Sequence, residues 1–218
     1  MQINYFGHSY LLIIGKDYSI ALDPYGDIGL IPPKVSCDYV FSSHSHYDHN
    51  NFSVVDSKKT ITNSNNLFKI IPSFHDNSNG KLRGINNVLL FSLDGYSLAF
   101  MGDYGEDYNE NVINELLNVD ILFIPIGGKY TIDYKVAKKY CDEIKPKTII
   151  PIHYKIKGSN IDIDGLDNFL KLFKDYTLTK SPYNYNDKNG VVVVSPDVKE
   201  MLWNILVKGL KIQQGLKN

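Results

Sequence analysis

Residues 44–49 read His-Ser-His-Tyr-Asp-His, and they follow at once on the apolar, β-branched and aromatic run Tyr39-Val40-Phe41-Ser42-Ser43. That run reads as a buried strand, so the cluster begins where a strand ends. Three of the chain's six histidines and one carboxylate fall in these six positions. Neutral imidazole is the commonest metal ligand, and an ion of the zinc type accepts histidine nitrogen and aspartate oxygen together. The spacing suits one divalent ion or two adjacent ones. The alternative is a polar loop of solvated histidines. A fold that uses the spacing has to hold this loop rigidly at a strand end.

Three other polar residues occupy the same kind of place. Ile71-Pro72-Ser73-Phe74 runs into His75, Phe100-Met101-Gly102 into Asp103, and Ile149-Ile150-Pro151-Ile152 into His153. Each stands at the end of an apolar run, where one edge of a sheet could bring them together. The order of these residues resembles the signature of the metallo-β-lactamase superfamily. Gly7-His8-Ser9, Leu22-Asp23-Pro24-Tyr25, Arg83-Gly84-Ile85-Asn86 and residues 126–133, Ile-Gly-Gly-Lys-Tyr-Thr-Ile-Asp, extend the similarity. They resemble the branch that includes ascorbate-6-phosphate lactonases and many bacterial metal-dependent hydrolases, over about residues 1–180.

The resemblance implies an α/β chain folded as a four-layer αββα sandwich, with helices on both outer faces of two packed sheets. It implies that His44, His46 and His75 hold a first ion, that Asp48, His49 and His153 hold a second, and that Asp103 bridges them. Two such ions can share a hydroxide as nucleophile, with Asp48 orienting it or taking its proton. Zn is the first expectation, with Mn and Fe as alternatives. One departure stands out: Tyr104-Gly105-Glu106 occupies a stretch where relatives often carry a histidine. That leaves the effect of Glu106 on substrate choice open.

The rest of the chain supports a sheet-rich first half. Segments 2–6, 10–14, 19–22, 39–43 and 67–73 read as strands between Gly, Pro, Asp and Asn turns. Segments 88–93 and 96–101 flank Asp94-Gly95, a hairpin signal. Residues 109–117 carry helical spacing. Residues 131–144 predict the clearest helix, striped by Ile132, Val136, Tyr140 and Ile144 and stopped by Pro146. Segments 121–126 and 148–152 read as buried strands. Residues 181–190 are the one plausible break. Beyond them, 191–195 reads as an edge strand and 197–214 as a helix. This makes a strand-and-helix extension at about 190–214 of a single domain spanning 1–218, and its helix packs on the domain or serves a homo-oligomeric contact.

Composition excludes some classes. A length of 218 residues suits one core, and 43% hydrophobic residues is ordinary for a globular chain. A net charge of −1 gives no field that would gather nucleic acid or an anionic membrane. Cys37 and Cys141 are too few for a disulfide framework, which favours a reducing compartment. No leader and no membrane-length apolar run is visible, so a cytoplasmic location is expected.

Around the expected site, Asp23 is either a hydrogen-bond acceptor for a ligand imidazole or a turn residue before Pro24. His8 can reach the pocket from the first strand end, though a lone histidine beside a glycine is more often structural. Arg83 is a candidate grip for an anion. Lys129, Tyr130 and Lys155 sit on turns at strand ends and are candidates to line the pocket, while Asp76 can cap a turn. The reading is a hydrolase of a small, anionic ester, lactone or phosphoester. The alternatives are a nuclease or phosphodiesterase, a di-iron oxygen reductase, and a metal-binding protein without turnover.

Overall fold

The computed structural model describes residues 1–200. The chain opens with β1 (Gln2–Tyr5), β2 (Leu11–Ile14) and β3 (Ser19–Leu22), then a two-residue β4 (Leu30–Ile31) and β5 (Val35–Phe41). A 3₁₀ turn at Phe52–Val54 leads into β6 (Val55–Thr60), then β7 (Phe68–Phe74), β8 (Ile85–Leu93) and β9 (Tyr96–Phe100). Helix α1 (Glu110–Leu116), β10 (Ile121–Pro125), α2 (Tyr134–Ile144), β11 (Thr148–Ile152) and α3 (Asp167–Leu170) follow. The last elements are β12 (Tyr176–Lys180), β13 (Tyr183–Asn184), β14 (Gly190–Ser195) and β15 (Lys199–Glu200).

Among the described residues these strands form a six-stranded sheet, ordered β13-β1-β2-β3-β5-β6, a seven-stranded sheet, β12-β14-β11-β10-β9-β8-β7, and the small pair β15-β4. The two large sheets share one apolar core, in which Ile3, Ile13 and Ile20 of the first join Leu89, Phe91 and Leu98 of the second. The Tyr39 and Phe68 rings close the gap at one end, 4.9 Å apart. All three α-helices follow strands of the seven-stranded sheet, and α2 packs on β10. The fold is thus the mixed α/β two-sheet architecture that the resemblance implies. No helix among the described residues is long and apolar enough to cross a membrane.

Local chemistry accounts for the element ends. Asp94 and Gly95 both take positive φ, 54° and 84°, as the tight β8–β9 hairpin requires. Asn109 caps α1 by accepting the Val112 N–H, and Asp133 caps α2 by accepting from Lys135 and Val136. The Asp133 cap is why α2 starts at Tyr134 and not at Thr131; Ile132 is buried just outside the helix. Lys145 ends α2 in the left-handed region ahead of Pro146.

Three expectations for the C-terminal third need correction. The strand at Gly190–Ser195 is no edge, because β12 pairs with it in parallel on one side and β11 on the other. Its buried Val191–Val194 run suits an interior strand. Residues 181–190 are no linker either: Tyr183–Asn184 pairs with β1, so the chain crosses from one sheet to the other and back. Of the helix expected over 197–214, Lys199–Glu200 is instead strand, paired with Leu30–Ile31, and residues 201–214 lie outside the described residues.

Candidate metal centre

The C-terminal ends of six strands meet at one place. β1 leads to His8, β3 to Asp23, β5 to the 44–49 cluster, β7 to His75, β9 to Asp103 and β11 to His153. Open α/β sheets present ligand sites at this end of their strands. His8, Asp23 and His153 all take positive φ, of 54°, 44° and 51°. For non-glycine residues this costs about 1–2 kcal/mol each, and such strain gathers where function needs it. The turns are held from outside: the His8 carbonyl accepts the Tyr5 hydroxyl at 2.8 Å and the His153 N–H at 2.7 Å.

Donor atoms of His44, His46 and His75 lie within 4.8 Å of one another, and so do those of His8, His49 and His153. Asp103 stands between the two sets. Its Oδ2 is 3.1 Å from His49 Nε2, 3.3 Å from His75 Nε2 and 3.2 Å from His153 Nε2. Two donors on one tetrahedral ion, each about 2.0–2.1 Å from the metal, are about 3.3–3.4 Å apart, so these separations match donors sharing an ion. The Asp48 carboxylate lies 3.7 Å from His49 Nε2 and 3.2 Å from His8 Nε2.

The buried polar inventory points the same way. His44 Nε2, His49 Nε2 and Asp103 Oδ1 are buried and make no hydrogen bond, a costly state unless another group completes them. Asp23 and Asp103 are 0% and 1% exposed, and among the described residues the only ion-pair partners of their carboxylates are histidines. Buried carboxylates without Lys or Arg call for a cation. The donor set therefore fits divalent metal.

Supporting bonds set the tautomers. Ser43 Oγ donates to Asp23 Oδ2 at 2.6 Å, so it can only accept from His44 Nδ1 at 2.9 Å, which leaves the His44 Nε2 lone pair free. Burial holds the His44 imidazolium pKa down to about 2, and burial with the neighbouring His153 holds His8 down to about 3, so both rings are neutral donors. His49 Nδ1 donates to Asp23 Oδ2 at 2.8 Å. Burial alone would lower the His49 pKa, but Asp103 and Asp23 outweigh it and raise it. In Asp48, burial opposes ionisation, and the His8 hydrogen bond with the nearby His49 charge reverses that and lowers its pKa.

All seven expected ligands are thus brought together, and Asp23 is a hydrogen-bond anchor for His49 directly and for His44 through Ser43. His8, a pocket candidate for which the sequence favours a structural role, hydrogen-bonds Asp48 and lies among the donor histidines. Lys129 and Lys155 need correction. The Lys129 ammonium pairs with Asp162 on the surface, and Lys155 donates to the Ser159 and Ile161 carbonyls; neither lines the clefts at the metal ligands. Tyr130 and Arg83 do line one, with His46, Asp48 and His75. Glu106 accepts the Phe74 N–H at 3.0 Å and the Asn109 amide at 3.0 Å, and so braces the strand that delivers His75. Asp76 caps its loop, accepting the N–H groups of Ser78, Gly80, Leu82 and Arg83.

Two positioning residues escaped the sequence reading. Ser43 is one. Asn86 is the other: its Oδ1 accepts the Asp103 N–H at 3.0 Å and its Nδ2 donates to the Met101 carbonyl at 2.9 Å. A polar residue buried inside an apolar strand was the available signal.

Residues 2–153 match the family model described as a beta-lactamase superfamily domain. A metal-dependent hydrolase of Staphylothermus marinus is 30% identical over 82% of this chain and 93% of its own length, and one of Carboxydothermus hydrogenoformans is 27% identical over 71% and 84%. Among solved structures, a candidate Zn-dependent hydrolase of the metallo-β-lactamase superfamily from Thermotoga maritima superposes with a TM-score of 0.74 and 29% identity, covering 90% of this chain and 99% of that one. With the histidine and aspartate donors gathered at the strand ends, these similarities make the chain a member of the metallo-β-lactamase superfamily and one of its metal-dependent hydrolases.

Proposed function

We propose that the site holds two divalent ions, zinc first among them, and hydrolyses a small anionic ester, lactone or phosphoester in a reducing, cytoplasmic setting. The observation that carries this reading is the position of Asp103 Oδ2, within 3.1–3.3 Å of histidines drawn from both three-histidine sets. Bound ions of this kind supply Lewis acidity, polarising the scissile group and acidifying water. The chain's own residues do the rest. Asp48, at 17% side-chain exposure, reaches the cleft and is held by His8, which suits it to orient an incoming water and take its proton. His44 and His49, fixed through Ser43 and Asp23, keep their Nε2 atoms facing inward. Arg83 on the cleft wall offers a guanidinium to an anionic group of the substrate. The nucleic-acid alternative lacks such support: among the described residues, Arg83 is the only Lys or Arg lining the clefts that touch His44 and His46.

The test is elemental analysis of purified protein together with a panel of lactones, esters, phosphodiesters and phosphomonoesters. About two zinc ions per chain and turnover of an anionic ester or lactone are expected. A single ion per chain at saturation would remove the bridging role of Asp103.

A further inference from the structure

We infer that the substrate is amphiphilic: an ester with one anionic group and an apolar acyl or aryl body, the scissile bond lying between them. This rests on the hydrolase reading above and names the substrate class of that site. Two clefts of about 610 and 680 Å³ flank His46 and share Ser45 and Arg83. Their volumes fall in the range of about 300–1,000 Å³ that holds ligands of metabolite to drug size, far beyond an acetyl group. Their mouths are lined by apolar side chains that a fold would ordinarily bury. Tyr47 is 63% exposed and Tyr130 43% at one cleft, and Leu82 71% and Ile85 62% at the other. Exposed apolar residues scattered singly need no explanation, but four gathered around a ligand site mark a contact surface.

Charge sets the other half of the inference. The Arg83 guanidinium lies 5.7 Å from the Tyr130 ring centroid, a cation–π distance that steadies it at the junction of the clefts. Lys129 and Lys155 are engaged elsewhere. One cation with Tyr47, Tyr130 and Ile161 on one side and Leu82 and Ile85 on the other matches one anionic group on an apolar body. In the reaction, the oxygen of water bonds to the acyl carbon and the bond to the alcohol oxygen breaks. The leaving oxygen keeps that electron pair and takes a proton, giving an alcohol, a carboxylate and one released proton.

The experiment uses the zinc-loaded full chain, calorimetric titration with n-alkanoates from acetate to decanoate, and hydrolysis of the matching 4-carboxyphenyl esters, which carry the anionic group across the scissile bond from the chain. Alkanoate affinity should rise at least twofold per methylene, against about fourfold for a fully buried one. Leu82→Ser and Ile85→Ser, both at exposed positions, should flatten that rise with metal content unchanged, while Arg83→Gln weakens every chain length equally. Affinity independent of chain length overturns the inference, as does a rise that survives both serine variants. Sedimentation showing a dimer that those variants dissociate would assign the apolar rim to a second copy and also overturn it. Hydrolysis without chain-length dependence leaves the hydrolase reading standing and removes only the amphiphile; chain-length dependence in binding without any hydrolysis removes the hydrolase reading and the ester with it, leaving only an amphiphile-binding cleft.

Discussion

Replacing Asn86 by alanine should damage the fold and the metal site in separable amounts. Asn86 is fully buried in β8, where its amide bridges Met101 and Asp103. The substitution strands the Met101 carbonyl and the Asp103 N–H, 0% and 1% exposed, whereas Ser73 Oγ keeps its 2.9 Å bond to the Asn86 carbonyl. At about 1–3 kcal/mol per stranded buried group, the metal-free protein should lose about 2–6 kcal/mol, a large share of the 5–15 kcal/mol typical of a domain. Asp103 also loses the bond that fixes its backbone, and loss of such support typically weakens metal binding about 10–100-fold. Asn87 next door is the control. Its side chain donates to the Ser43 carbonyl at 3.0 Å, but its own backbone N–H reaches that carbonyl at 2.9 Å. Asn87→Ala should therefore cost no more than about 1 kcal/mol and leave metal affinity unchanged. Urea unfolding in the presence of a chelator reads the first quantity, and competition against a chromophoric zinc chelator reads the second. If the two variants behave alike, Asn86 does not anchor Asp103.

Three further outcomes follow from the site. Asp103→Ala should abolish retention of both ions by elemental analysis; two ions still bound would refute a shared ligand. Asp23→Ala, which frees His49 Nδ1 and the Ser43–His44 pair, should weaken zinc binding about 10–100-fold in the same competition titration. Gly105→Ala would set a methyl 2.3 Å from the His75 carbonyl carbon, so it should lower stability by at least about 1–3 kcal/mol, and a urea midpoint equal to that of the parent would contradict the crowding.

Strand ends that deliver ligands were legible because their strands are interior and apolar: β10 and β11 are buried at every position, and β5 and β9 end in buried residues. The edges were not. β6 reads Val-Asp-Ser-Lys-Lys-Thr and β12 Tyr-Thr-Leu-Thr-Lys, both mostly exposed, so neither carries a hydrophobic pattern that distinguishes it from a loop. Missing β12 is what turned β14 into an apparent edge. His8 was undervalued because its position depends on a Gly7–His8 turn with φ of 93° and 54°, a reversal that periodicity does not record. Lys129 and Lys155 were misjudged for a related reason: a charge near a strand end in sequence says nothing of its direction, and Asp162 and nearby carbonyls capture both. The resemblance supplied which donors group together; the hydrogen bonds that orient them came only with the third dimension.

Each three-histidine set is completed across the sandwich. His44 and His46 come from the six-stranded sheet and His75 from the other, and His8 and His49 from the first face His153 from the second. A metal ion held by His44, His46 and His75, or by Asp48, His49 and His153, would thus be a rivet through two plates. The gain in stability on loading grows with the logarithm of free metal over its dissociation constant, about 2.7 kcal/mol at a hundredfold excess. That gain accrues to the seam between the sheets more than to either sheet alone. With metal bound as proposed, starvation for metal should loosen the seam first, and the proteolytic lifetime of the chain becomes a gauge of its metal supply.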